Sequence, residues 1–155
     1  MTNHTHSLKD KAFELAGEIS LNLNKCNTPI EFIKASLAAL SEIKNHHDVV
    51  YAYVVDDKIM YIGESGESFA IRFTRHINGV SQQGKKPIPS RVRWRELLNS
   101  GGKAQIYIHQ CATSNYHSEE VSLRVGFESA LITKFNPPLN SPRKAQKRKM
   151  ASSLS

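Results

Sequence analysis

The sequence predicts an α+β domain with a three-stranded, mostly antiparallel sheet flanked by helices, and three observations predict it. Two short apolar and aromatic runs, residues 49–55 and 58–62, are separated only by Asp56 and Asp57, the pattern of a β-hairpin. A third run, residues 104–111, alternates Ala104, Ile106 and Ile108 with polar neighbours, as a half-buried strand does. Between and after these strands the apolar residues return at helical spacing, so the order β, β, α, α, β, α reads as helices packed on one small sheet.

Ahead of the hairpin, Leu8, Ala12, Leu15, Ile19 and Leu23 recur at spacings of three and four, which predicts an amphipathic helix over residues 7–24. A second helix is expected from Thr28, with Pro29 at its first position, Glu31 completing a capping box, and Phe32, Ile33, Leu37, Leu40 and Ile43 on its apolar face. Residues 1–47 therefore read as an N-terminal helical extension that packs on the domain or joins copies into a homo-oligomer. His4, His6, His46 and His47 fall in terminal or linker positions and suit a surface better than a metal site.

After the hairpin, residues 65–68 break the strand. Ala70, Phe73 and Ile77 then mark a helix that Gly79 ends. Residues 81–89 form a polar loop with two prolines, and residues 90–99 carry Val92, Trp94, Leu97 and Leu98 at helical spacing before Gly101 and Gly102. The last helix aligns Val121, Val125, Glu128, Ile132 and Phe135 on one face and stops before Pro137 and Pro138. Glu128 is conspicuous, because burying a lone carboxylate in an apolar stripe costs several kcal/mol unless a metal ion or an arginine holds it.

At 155 residues the chain forms one domain, with residues 48–140 as its body. Net charge is +7, and Arg143, Lys144, Lys147, Arg148 and Lys149 concentrate five positive charges in a tail, residues 141–155, that is expected to be disordered. A second basic group comprises Lys85, Lys86, Arg91, Arg93 and Arg95. Such clusters suit a polyanion, through counterion release. Cys26 and Cys111 lie far apart with no ligand spacing around them, so reduced thiols and a cytoplasmic setting are expected, and no apolar run is long enough to span a membrane.

Tyr51 and Tyr61 stand ten residues apart on the two hairpin strands, followed by Tyr61-Ile62-Gly63 and by Arg72 and His76 one helical turn apart. With Glu128 twelve residues before Asn140, these elements resemble the GIY-YIG nuclease family, whose first half-motif is matched by Val49-Val50-Tyr51 and whose second is intact. The resemblance covers about 90 residues, 50 to 140, and five elements in order are far more specific than any one of them. It departs from the family at Val49, which replaces a glycine, and by one extra residue between Tyr61 and Arg72, which makes Arg75 a rival for the arginine role.

The resemblance implies a Mg²⁺-dependent (or Mn²⁺-dependent) DNA endonuclease, with phage-encoded degradation of host DNA as one role. Restriction or repair-type cleavage, or a non-catalytic DNA-binding module, are the alternatives. It implies that Glu128 holds the metal, Tyr51 receives a proton from water, Tyr61 orients water or phosphate, Arg72 grips the phosphate and His76 assists. Gly63 would allow close approach to DNA, Asn140 would fix the loop under Glu128 and face DNA, and the basic residues from Lys85 to Arg95 would contact the duplex. Because side chains alternate along a hairpin, Tyr51 and Tyr61 share a face only if paired residues have an even sum, which implies an odd-length loop. A two-residue turn pairing Val55 with Lys58 would separate them unless a bulge intervened.

Overall fold

The computed structural model describes residues 3–21, 33–36, 46–78 and 103–140. The expected loop 81–89, the helix over 90–99 and the basic tail lie outside them. In chain order the elements are α1 (His4–Lys9), β1 (Glu14–Leu21), β2 (Ile33–Ser36), β3 (Val49–Val55), β4 (Lys58–Ser65), α2 (Phe69–Asn78), β5 (Ala104–Gln110), β6 (Thr113–Tyr116), β7 (Glu119–Ser122) and α3 (Arg124–Phe135).

The α+β class and the antiparallel sheet are as expected, but the sheet has five strands rather than three, in the order β2-β1-β5-β3-β4, every neighbouring pair antiparallel. The N-terminal helical extension is accordingly corrected. Helix α1 lasts only six residues, Ala12 turns the chain at a left-handed φ of 58°, and residues 14–21 run as a strand beside β5. Of the helix expected from Thr28, Ile33–Ser36 is strand β2 and the rest lies outside the described residues. The physical reason is the far edge of β5. Its buried Ile106, Tyr107 and Ile108 make it an interior strand, whose second ladder of amides and carbonyls β1 satisfies. Gly17 weakens the competing helix by about 1 kcal/mol. Leu15, on the expected helical stripe, is half exposed, whereas Leu8, Phe13, Ala16 and Ile19 face the protein's own core.

Strand β3 is buried along its whole length and divides the core. On one face Val49, Tyr51, Tyr53 and Val55 pack with Met60, Phe69 and Phe73, the last two from α2. On the other, Val50, Ala52 and Val54 pack with Ile59 and Ile62, with Leu8 from α1 and with Leu131 and Ile132 from α3. The hairpin joining β3 to β4 is the two-residue turn, with Asp56 and Asp57 both at positive φ (47° and 61°) and Val55 paired with Lys58. A bulge then intervenes. Val54 pairs with Ile59 but Tyr53 pairs with Tyr61, so Met60 is the extra residue, and beyond it the paired numbers sum to an even value. Tyr51 and Tyr61 therefore share a face, through a bulge rather than through an odd-length loop.

Residues 113–122 form a separate exposed hairpin, turned by His117 and Ser118 at positive φ. This corrects the expected stripe of the last helix: Val121 lies on β7, α3 begins at Arg124, and Val125 is half exposed, while Glu128, Leu131 and Ile132 are buried. The helix ends where expected, with Asn136 left-handed at φ 45° and its N–H on the Ile132 carbonyl. Among the described residues no helix is long and apolar enough to cross a membrane.

Candidate active site

Because β4 is an edge strand, its outer amides and carbonyls need partners from elsewhere. The segment after α3 supplies them: the Leu139 N–H donates to the Met60 carbonyl (2.9 Å), the Ile62 N–H donates to Asn140 Oδ1 (2.9 Å), and Asn140 Nδ2 donates to the Ile62 carbonyl (2.8 Å). Asn140 thus acts as a two-point clamp on the Tyr61-Ile62-Gly63 strand. Its side-chain amide is engaged at both oxygen and nitrogen by the Ile62 backbone.

Above the clamp three tyrosines gather. Tyr51 and Tyr53 follow each other on one face of β3, and Tyr61 faces both, with ring centroids 5.5 Å (Tyr51–Tyr53), 5.6 Å (Tyr53–Tyr61) and 6.1 Å (Tyr51–Tyr61) apart. Phe69 closes the far side of Tyr51 at 5.5 Å. Gly63 is buried beneath them, and a Cβ there would come within 2.5 Å of Tyr51 Cζ and its hydroxyl oxygen and 2.9 Å of Tyr61 Cε1. The space its missing side chain leaves is occupied by the Tyr51 ring. Tyr53 is the aromatic that sequence reasoning missed, although its place two residues from Tyr51 was the signal.

Burial raises the Tyr51 phenol above its ordinary pKa, opposed by the Arg72 guanidinium and by the Tyr61 hydroxyl. The Tyr51 hydroxyl nevertheless closes no full hydrogen bond among the described residues, so Arg72 and Tyr61 act on it from adjacent positions. Burial, followed by the neighbouring Tyr51, pushes Tyr61 well above its ordinary pKa, and Tyr53, desolvated and facing both other phenols, is also far raised. Of the three phenols, Tyr51 is the one whose ionised form the Arg72 guanidinium and the Tyr61 hydroxyl both favour. Arg72 is held charged, first by Tyr51 and also by the carboxylate of Glu64. Arg72 is therefore brought to the tyrosines. Arg75 and His76 lie on α2 with their side chains outside the described residues, as are Lys85, Lys86, Arg91, Arg93 and Arg95.

Glu128 is 2% exposed on α3, which packs chiefly along β4, and its negative charge reaches both Tyr51 and Tyr61 and raises their pKa values. Among the described residues no group of three His, Cys, Asp or Glu side chains could hold a metal ion. A single carboxylate whose charge reaches a buried phenol lacking a full hydrogen bond could hold Mg²⁺, which would keep several waters and take its remaining oxygens from substrate phosphates. Arg124, which sequence reasoning did not single out, binds Glu64 and Asp48 at the border of the site. Cys111 is a free, buried thiol, and Cys26 is not among the described residues.

With Tyr61-Ile62-Gly63 closed over Tyr51 and the helix of Glu128 laid along the same strand, the motif resemblance becomes one of architecture: the chain has the fold of the GIY-YIG nucleases. No family model matches it. In sequence it is 24% identical over 107 residues to Endonuclease II of enterobacteria phage T4, covering 66% of this chain and 78% of that protein. In structure it is similar to a mutant of bacteriophage T4 EndoII, with a TM-score of 0.66 at 20% identity over 90% of this chain and 100% of the other. It is also similar to the restriction endonuclease HPY188I in complex with product DNA, with a TM-score of 0.52 at 18% identity over 86% of this chain and 78% of the other.

Proposed function

We propose that this protein is a DNA endonuclease that hydrolyses phosphodiester bonds with the help of Mg²⁺ (or Mn²⁺) held by Glu128. The observation that carries the reading is the convergence of Tyr51, Tyr61 and Arg72 on one face of the hairpin with the charge of Glu128 acting on both phenols. The similarity to phage T4 Endonuclease II and to a restriction endonuclease solved with product DNA supports it. Hydrolysis needs a water relieved of a proton, relief of charge on the phosphorus and assistance to the departing oxygen. When bound, the divalent cation supplies positive charge that makes a nearby water and phenol more acidic.

The residues divide the rest of the work. Tyr51 is the proton acceptor, because it is the phenol whose ionisation Arg72 and Tyr61 both favour. Burial keeps it protonated at neutral pH, and a cation held by Glu128 would add its positive charge to that of Arg72 in favouring the ionised phenol. Tyr61, held far above its ordinary pKa, remains a neutral hydroxyl that orients the water. Arg72 meets the scissile phosphate with a charged fork, and His76 assists as a phosphate contact or relay. Lys85, Lys86, Arg91, Arg93, Arg95 and the basic tail would hold the flanking duplex. The setting is cytoplasmic, that of the host if the chain is phage-encoded.

The restriction-type reading is kept alongside host-DNA degradation because the chain is similar to both kinds of nuclease. A non-catalytic DNA-binding module is disfavoured, since a carboxylate beside the phosphate site would repel DNA without a cation. The test is incubation of the purified protein with supercoiled plasmid, with Mg²⁺ and with a chelator. Conversion to open or linear forms only with Mg²⁺ is expected, and intact plasmid under both conditions would overturn the nuclease reading.

A further inference from the structure

Helix α3 carries Glu128 yet starts in an unusual way. Leu123 at its N-cap offers no side-chain bond, its first turn has no acidic residue, and its first residue, Arg124, places a positive charge where the helix dipole disfavours one. Among the described residues the Arg124 amide reaches Ser122 Oγ, at 3.4 Å.

Its guanidinium is what anchors the helix start. Arg124 Nε donates to Glu64 Oε2 at 2.7 Å and Nη1 donates to Asp48 Oδ1 at 2.5 Å. Asp48 precedes β3 and accepts, through its carbonyl, the N–H of Cys111 just past β5, while Glu64 pairs with Val50 across the hairpin. Gly66 leaves the room this requires, since a Cβ there would lie 2.8 Å from Arg124 Nη2. Glu128 follows Arg124 by four residues, one turn along the same side of α3. Glu64, bound by Arg124 at 2.7 Å, also contributes weakly to the field that holds Arg72 charged.

We propose that Arg124 is a positioning residue for phosphodiester cleavage: it ties the first turn of the Glu128 helix to β3 and β4 and, by engaging Glu64, leaves Arg72 for the phosphate. The inference rests on the nuclease reading. A Glu64 carboxylate no longer neutralised by Arg124 would act more strongly on the Arg72 guanidinium and repel the DNA phosphate, so the two effects of losing Arg124 can be separated by removing the charge of Glu64.

The experiment compares wild type, Arg124→Lys, Arg124→Ala, Glu64→Gln and the double variant Arg124→Ala/Glu64→Gln. Single-turnover cleavage, DNA affinity, the Mg²⁺ concentration for half-maximal rate and amide exchange at Phe127 and Glu128 are measured for each. An ammonium can hold one of the two carboxylates but not both in the guanidinium's geometry. Arg124→Lys is therefore expected to slow cleavage by about 10- to 100-fold with DNA affinity nearly unchanged, to raise the half-maximal Mg²⁺ concentration and to speed exchange at Phe127 and Glu128. Glu64→Gln in the Arg124→Ala background is expected to recover about fivefold or more of the lost rate, a rescue that a merely structural clamp would not give. Wild-type rate per folded molecule in Arg124→Lys, or a double variant no faster than Arg124→Ala, would overturn the proposal, and if Arg124→Ala does not fold the lysine variant decides. Absence of cleavage by wild type would instead overturn the nuclease reading.

Discussion

Replacing Gly63 by alanine tests how closely the tyrosine cluster is built. The added Cβ would sit 2.5 Å from Tyr51 Cζ and its hydroxyl oxygen, whereas ordinary contact begins at 3.4 Å, so the ring must withdraw by about 0.9 Å. It has little freedom to do so. Tyr51 is 1% exposed and is hemmed in by Tyr53, Tyr61 and Phe69. Overpacking of this kind destabilises by about 1–3 kcal/mol, and for a domain of this size each kcal/mol lowers Tm by about 2–4 °C. A displacement of nearly 1 Å at a reacting group costs on the order of 10²-fold in rate. Gly63→Ala is therefore expected to unfold several degrees below wild type and, at a temperature where both are folded, to cleave a labelled duplex in single turnover about a hundredfold more slowly. Cleavage within threefold of wild type at an unchanged Tm would refute the argument that Gly63 exists to seat Tyr51.

Three further outcomes follow from the same geometry. Tyr51, Tyr53 and Tyr61 all bind their protons more tightly in the folded state than at the ordinary value of 10.0, so their contribution to stability is whole below about pH 10 and is lost as pH rises above it. Urea unfolding between pH 9 and 11.5 should show this decline, and Tyr53→Phe should make it shallower. Asn140→Ala removes both bonds to the Ile62 backbone and is expected to cost about 1–3 kcal/mol, read by urea unfolding, with cleavage lowered because Tyr61 and Gly63 lie on either side of Ile62. Deleting residues 142–155 removes five basic residues and should weaken DNA binding similarly for all sequences, flattening the salt dependence by a slope of up to roughly 4 while sparing the turnover step.

Where local pattern and tertiary demand agree, the sequence was readable. The hairpin strands, the helix announced by Ala70, Phe73 and Ile77, and the end of α3 before Pro137 all lie where periodicity placed them. The N-terminus was misread because Leu8, Ala12, Leu15 and Ile19 satisfy a helical period, while the partner that makes residues 14–21 a strand, β5, lies some ninety residues away in sequence. The bulge at Met60 was invisible for a related reason: no turn residue marks it, and its cause is the pairing of Tyr53 with Tyr61 and the capture of the Met60 carbonyl by Leu139. Within the site, motif spacing singled out Tyr51, Tyr61, Arg72 and Glu128. Tyr53, Glu64 and Arg124 carry no spacing of their own and emerge only when β3, β4 and α3 are brought together.

The central claim is that Glu128 binds the cation on which cleavage depends, and the most direct measurement is cleavage and DNA affinity of Glu128→Gln against wild type in Mg²⁺. The substitution keeps the size of the side chain and removes the charge that acts on Tyr51 and Tyr61. The account predicts a folded protein that binds DNA as tightly as wild type or more tightly, because a negative charge near the phosphates is gone, and that cleaves no plasmid at any Mg²⁺ concentration tested. Substantial Mg²⁺-dependent cleavage by Glu128→Gln would contradict it.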